Sequence, residues 1–173
     1  MPILESILSR YSVRAYQDKP VEQEKLDRIL EAARLAPSAC NRQEWRFVIV
    51  RDPEKRRRLV ECASGQAFVG QAPVVIVACA KHDGRIMRCG QACGPIDVAI
   101  ALEHIALQAA AEGLGTCWIG AFDEGKAKEI CGIPTTDDVR VIELMPLGYP
   151  ADTPREKSRL AFEEIVMYEE WEG

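Results

Sequence analysis

Leu35-Ala36-Pro37-Ser38-Ala39-Cys40-Asn41-Arg42-Gln43-Glu44-Trp45 is the stretch around which the chain is organised. The segment 21–36 runs into it, with Leu26, Ile29, Leu30 and Ala33 at helical spacing. Pro37 stops that helix, because the residue before a proline avoids helical backbone. On the far side, Phe47-Val48-Ile49-Val50 predicts a buried strand within 46–51. Between helix and strand stand Ser38, Asn41 and Gln43, neutral hydrogen-bonding side chains, with Trp45 following. A polar turn so placed presents directional donors and acceptors to something flat and polar.

Upstream, 2–9 predicts a short helix with Ile3, Leu4, Ile7 and Leu8 on one side. Arg10-Tyr11-Ser12-Val13-Arg14 follows as an extended segment with Arg10, Ser12 and Arg14 on one face. That face is either a phosphate grip, since a guanidinium offers a planar fork of donors to an oxyanion, or a solvated arginine face.

Downstream, Asp52-Pro53-Glu54 starts a helix by capping and by proline at its first position. Its Lys55-Arg56-Arg57-Arg58 run reads as a solvated face. Gln71-Ala72-Pro73 is a turn, and 74–80 is apolar enough for a central strand. The stretch 81–94 is glycine-punctuated and irregular. A long helix over 95–112 is apolar around much of its girth, which predicts burial. Its alanines allow close approach of a second helix, from this chain or another subunit. Gly113 and Gly115 end it. A strand over 116–122, a helix from Asp123 to Cys131 and a strand over 139–147 complete the pattern. The tail carries Lys157-Ser158-Arg159, then an acidic segment with interleaved apolar residues. Few adjacent pairs form βαβ units, so a sheet covered by helices on both sides is expected.

The 173 residues favour one domain, spanning 1–173, with a real core. A net charge of −5 argues against general binding of nucleic acid or anionic membrane. The N-terminus lacks a basic region before an apolar run, and the long apolar helix is interrupted by Asp97, Glu103 and His104. Seven scattered cysteines suggest reduced thiols and a cytoplasmic setting.

Four segments, in order and spacing, resemble the FMN-dependent nitroreductase family over nearly the whole chain. They are Arg10-Tyr11-Ser12-Val13-Arg14, the 36–45 turn, Gly113-Leu114-Gly115-Thr116-Cys117-Trp118-Ile119-Gly120 and Leu147-Gly148-Tyr149-Pro150. The resemblance implies an α+β fold, a three-layer α/β/α sandwich with a mixed, mainly antiparallel sheet. It implies a homodimer built on the long central helix, with FMN at the subunit interface. By the same resemblance, Arg10, Tyr11, Ser12 and Arg14 hold the flavin's phosphate, ribityl and pyrimidine end. Pro37, Ser38, Ala39 and Asn41 form the turn that reaches the flavin of the opposite subunit. Gly120 and Ala121 approach the N5 and O4 edge, and Lys157 and Arg159 close on the phosphate. Where the family has proline before the tryptophan of the turn, this chain has Glu44, which implies a freer chain and a negative charge near the site entrance. The chain is also short for the inserted helical cover of some members, which implies an open pocket.

The expected chemistry is hydride transfer from NADH or NADPH to flavin N5, then to a small-molecule acceptor such as a nitroaromatic or quinone, in a ping-pong cycle. No side chain is required as a catalytic acid or base. Three alternatives stand beside it. One is a non-catalytic or regulatory FMN-binding module. Another is a specialised flavin dehydrogenase. The third is a metal site made of Cys79, His82, Cys89 and Cys93. Trp45 and Trp118 read as core groups, Tyr149 as part of a turn near the site, and His104 as a satisfied core or interface histidine.

Overall fold

The computed structural model describes residues 2–81 and 84–171. Helix α1 is Glu5–Ser9 and α2 is Gln23–Arg34. Strand β1 is Trp45–Val50, followed by α3 (Pro53–Cys62), α4 (Phe68–Gln71) and β2 (Val74–Lys81). Then come α5 (Cys93–Ala111), β3 (Gly115–Thr116), α6 (Glu124–Cys131), β4 (Val139–Gly148) and α7 (Phe162–Ile165). The sheet order is β1-β2-β4-β3 with every neighbouring pair antiparallel. Ser12 adds an isolated parallel bridge to Thr116.

The apolar run of β2 is explained by its two covered faces. Val74, Ile76, Ala78 and Ala80 join the core beneath α2 and α5. Val75, Val77 and Cys79 join a second core with Leu59 of α3 and Ala127 and Ile130 of α6. Alternate residues of a strand point to opposite faces, so a strand between two helical layers must be apolar throughout. Burying a side chain such as Ile76 or Leu102 contributes about 1.5–3 kcal/mol. The layers are therefore helix, sheet, helix, as expected.

Helix α5 is the centre of one layer, with Val98, Ala101, Leu102, Ile105 and Ala109 fully buried. His104 ties it to α2, its Nδ1 lying 3.0 Å from the Ala32 carbonyl. Asp52 caps α3 by accepting from the Lys55 amide at 2.8 Å, and Asp123 caps α6 by accepting from the Lys126 amide at 3.0 Å.

Four expectations are corrected. The strand expected over 116–122 pairs continuously only at Gly115–Thr116. The register continues, since Ile119 pairs with Leu144. In that register Cys117 faces Pro146, which has no N–H to donate, so the ladder breaks there. Trp118, expected in the core, is 36% exposed as a result. Helix α1 is shorter than predicted, and Ile3, Leu4, Ile7 and Leu8 are exposed. Helix α4 was not expected, and its last residue, Gln71, was read as the start of the Gln71-Ala72-Pro73 turn; Val69 anchors the helix in the core.

Gly115 fixes how the N-terminal segment meets the sheet. A Cβ there would lie 2.2 Å from Val13 Cγ2 and 3.1 Å from Pro150 Cγ. Only glycine allows Val13, itself fully buried, to lie against β3 with its N–H donated to the Thr116 carbonyl at 3.0 Å.

Candidate functional site

The Arg10–Arg14 segment lies along the end of the sheet, and the tail after β4 returns beside it. Between them is a cleft of about 290 Å³ lined by Arg10, Tyr11, Ser12, Arg14, Asp152, Thr153, Arg155, Glu156, Lys157, Ser158 and Arg159. Five basic side chains face two acidic ones, so the cleft attracts an anion. The arginines of this segment share that concave surface with a second basic cluster from the tail.

Asp152 organises this cleft. Its Oδ2 accepts the Arg14 backbone N–H at 2.8 Å. The Tyr11 hydroxyl donates to the Asp152 carbonyl at 2.8 Å and lies 3.2 Å from Oδ1. Burial, then the Asp152 charge, raises the Tyr11 pKa, so the phenol stays a neutral donor. Arg10 Nε pairs with Glu103 Oε1 of α5 at 3.1 Å, which aims its guanidinium. Lys157 Nζ donates to the Leu8 carbonyl, which pins the tail to α1. Asp152 and Arg155 were not legible in the sequence; their role depends on the fold of the tail.

The recognition turn is a single 3-10 turn, Ala39–Asn41, with unusual backbone. Cys40, Asn41 and Gln43 have φ of 53°, 54° and 55°. Such left-handed conformations cost on the order of 1–2 kcal/mol for residues other than glycine. They persist because the turn is tied down from several sides. The Gln43 amide donates to Ser38 Oγ at 2.9 Å, and the Ala39 amide donates to Asp97 Oδ1 of α5 at 3.1 Å. Gln43 Nε2 donates to Asn41 Oδ1 at 3.1 Å. The turn thus presents Ser38 and Asn41 from a fixed frame, and it does not line the Arg10–Arg14 cleft of the same chain.

Glu44 corrects the expectation of a freer chain and a charge at the entrance. The residue is 7% exposed, and its carbonyl accepts the Lys81 amide at 2.9 Å. Its Oε1 accepts from Arg42 Nε at 3.0 Å. The charge is therefore buried and paired, and the backbone is held in line with β1.

Gly120 and Ala121 are exposed in the turn between β3 and α6. Directly behind Gly120 is Glu143 of β4, at 3.9 Å from where a Cβ would stand. Glu143 is 8% exposed, and its Oε1 has no hydrogen-bond partner among the described residues. Burial raises its carboxyl to about 7. Sequence reading missed it, since an acid inside 139–147 looks like the polar side of a strand.

The cysteine cluster does not assemble. Cys79 is buried on β2 among Cys131, Lys128 and Glu124. Cys93 is buried at the start of α5 near Asp97, Glu44 and Cys40. Cys89 is exposed, and His82 lies outside the described residues. Among the described residues no group of three His, Cys, Asp or Glu is placed to hold a metal. Tyr149 makes structural contacts just after β4. Its hydroxyl lies 2.7 Å from Glu22 Oε2, and its ring packs under Lys19 Nζ at 3.6 Å, so it serves the start of α2.

The model of the Nitroreductase family matches residues 7–69 and 61–149. The chain belongs to the nitroreductase family. It is 33% identical to an NADH dehydrogenase of Thermus thermophilus over 97% of this chain and 98% of that one. It is 32% identical to an NAD(P)H-dependent FMN reductase of Bacillus subtilis over 97% of this chain and 73% of that one. In structure it matches an NADPH:FMN oxidoreductase from Vibrio harveyi, solved as a complex with NAD+, at 27% identity and a TM-score of 0.89. That match covers 98% of this chain and 77% of that one. The nitroreductase sandwich is thus the fold of this chain, helices on both faces of an antiparallel sheet. Among the described residues no helix is long and apolar enough to cross a membrane.

Proposed function

We propose that this nitroreductase-family chain carries hydride from NADH or NADPH to a small electron acceptor, a nitroaromatic or quinone, through one pocket in ping-pong fashion. The coarser activity follows from the family and its named relatives: the chain is an NAD(P)H-dependent flavin oxidoreductase, with FMN as its cofactor. The observation that carries the reading is the convergence of Arg10, Arg14, Arg155, Lys157 and Arg159 on one cleft beside Ser12. A phosphate dianion with a polar ribityl chain fits that donor set, because guanidinium groups bind phosphate through paired hydrogen bonds.

Arg14, Arg155, Lys157 and Arg159 hold the phosphate in this reading, and Ser12 donates to the ribityl chain. Ser38 and Asn41 contact the ring held mainly by the partner subunit, consistent with their distance from the cleft of their own chain. Bound FMN supplies hydride acceptance and donation at N5. The exposed backbone at Gly120 and Ala121 offers groups to the N5 and O4 edge. No side chain acts as a nucleophile; the protein orients the partners and supplies fixed charge.

The homodimer is part of the proposal. Ile96, Ala99, Ile100 and Leu107 of α5 keep partial exposure along one side, and Ile3 and Leu4 just before α1 and Ile7 and Leu8 on it are exposed nearby. Phe162, Ile165 and Trp171 of the tail are exposed as well. A second copy would cover these apolar groups. Ala106, by contrast, is 2% exposed within its own core. The test of function is spectroscopic and kinetic. Flavin absorption should bleach on anaerobic addition of NADH or NADPH, and initial rates with menadione should give parallel double-reciprocal lines. A flavin spectrum that neither nucleotide bleaches would overturn the proposal.

A further inference from the structure

We propose that Glu143 is the proton-holding group behind the flavin edge, a positioning residue that binds a solvent proton when the pocket gains negative charge and releases it when that charge leaves. The inference rests on the FMN reading above and names a residue that the reading does not need.

Three features of the fold single this carboxyl out. First, Glu143 occupies a central strand, between β2 and the 115–119 segment, where both neighbours are apolar. It shares a strand face with Met145 and Leu147, in the core that α5 covers. Second, the β2–β4 register slips at this point: Ala78 pairs with Glu143, but Cys79 pairs with Val141, leaving Ile142 as an extra residue. A bulge re-aims side chains, and here the re-aimed side chain is the acid. Third, the carboxyl ends beneath Gly120 with Oε1 lacking a partner among the described residues, although buried polar atoms are nearly always bonded. A Cβ at position 120 would stand in van der Waals contact with Oε2, at 3.9 Å.

The electrostatics agree with a proton-exchanging role. Burial pushes the carboxyl up to about 7, and contact with the Ile119 backbone works weakly the other way. On β2 its partner Ala78 carries no charge. On the 115–119 segment the titratable neighbour is the Cys117 thiol, itself raised mainly by burial, which registers the Glu143 charge. Among the described residues no charged side chain moves this carboxyl; burial and the Ile119 backbone account for its position. The group is therefore poised near neutrality and free to respond to charge in the pocket. Hydride from a pyridine nucleotide would add two electrons and one proton to a bound flavin ring, a gain of one negative charge. Glu143 answers by binding one proton from solvent at its carboxylate. When hydride leaves for the acceptor, that proton is released. One negative charge within several ångströms raises a buried carboxyl by about one pKa unit.

The experiment measures protons taken up on anaerobic photoreduction of the FMN-loaded protein in weak buffer at pH 7.5, followed with a pH indicator. Wild type should take up about half a proton more per flavin than Glu143→Gln, the amount expected for a one-unit shift centred on that pH. Equal uptake in the two overturns the proposal while leaving the flavin reading intact. A wild-type chain that takes up no FMN overturns both. Glu143→Leu, which removes a buried carboxyl without demanding a hydrogen bond, serves if Glu143→Gln does not fold. Wild type labelled with carboxyl-13C glutamate gives an independent readout, its Glu143 resonance assigned by loss in the variant. That resonance should titrate about one unit higher in the reduced than in the oxidised protein, and identical midpoints overturn the proposal.

Discussion

Gly115→Ala tests whether the close approach of the N-terminal segment to β3 builds the anion cleft. The added Cβ would stand 2.2 Å from Val13 Cγ2 and 3.0 Å from Val13 Cβ. Carbon atoms in contact prefer about 3.5–4.0 Å, so the segment must retreat by roughly 1.5 Å. Val13 cannot rotate away cheaply: it is β-branched, fully buried and bonded to Thr116 through its N–H. Overpacking of this kind costs about 1–3 kcal/mol. In a domain of this size each kcal/mol lowers Tm by about 2–4 °C, so a fall of about 2–12 °C is expected by calorimetry. Retreat of Val13 carries Ser12 and Arg14 with it, so FMN retention through dialysis should fall as well. Val13→Ala in the Gly115→Ala background removes the Cγ2 clash and should recover part of both losses, making the two substitutions non-additive. A Gly115→Ala protein with unchanged Tm and flavin content would refute the reasoning. So would a double variant whose losses simply add.

Other consequences are as direct. Arg14→Ala removes a phosphate donor worth about 1.5–3 kcal/mol, so FMN should bind roughly 10- to 150-fold more weakly by fluorescence titration; unchanged affinity would exclude Arg14 from the phosphate site. Raising salt should weaken FMN binding by screening the basic cleft, and Arg155→Gln should flatten that salt dependence. Glu124 is held down to about 2, chiefly by its hydrogen bonds to Arg140. A depressed folded-state pKa contributes stability that is present above the ordinary carboxylate range and lost as pH falls from about 4.5 toward 2. Glu124→Gln should therefore flatten that acid limb in urea-denaturation experiments. Ile96→Glu should shift the sedimentation coefficient toward the monomer with little change in monomer fold. Ala106→Glu should instead unfold the chain, because its methyl lies in the core.

Elements whose signals are local could be read from the sequence. Period-3.6 patterning placed α2, proline and Asp52 bounded α3, and the apolar run of β2 announced a strand covered on both faces. That Arg10, Ser12 and Arg14 lie together along one cleft was legible because alternation puts them on one face whatever the surroundings. Features that depend on which strand lies opposite emerged only in the folded chain. Pro146 facing Cys117 truncated β3 and exposed Trp118, and the fold of the tail brought Asp152 and Arg155 to the cleft. Burial reversed the meaning of two carboxylates. Glu44, expected as a charge at the entrance, is an interior partner of Arg42, and Glu143, which the strand pattern did not single out, is a buried acid under Gly120 whose Oε1 has no partner among the described residues. Local propensity and alternation are properties of a few neighbouring residues, so sequence carries them. Desolvation and register are set by residues far apart in the chain, and they exist only once the sheet has closed against α5.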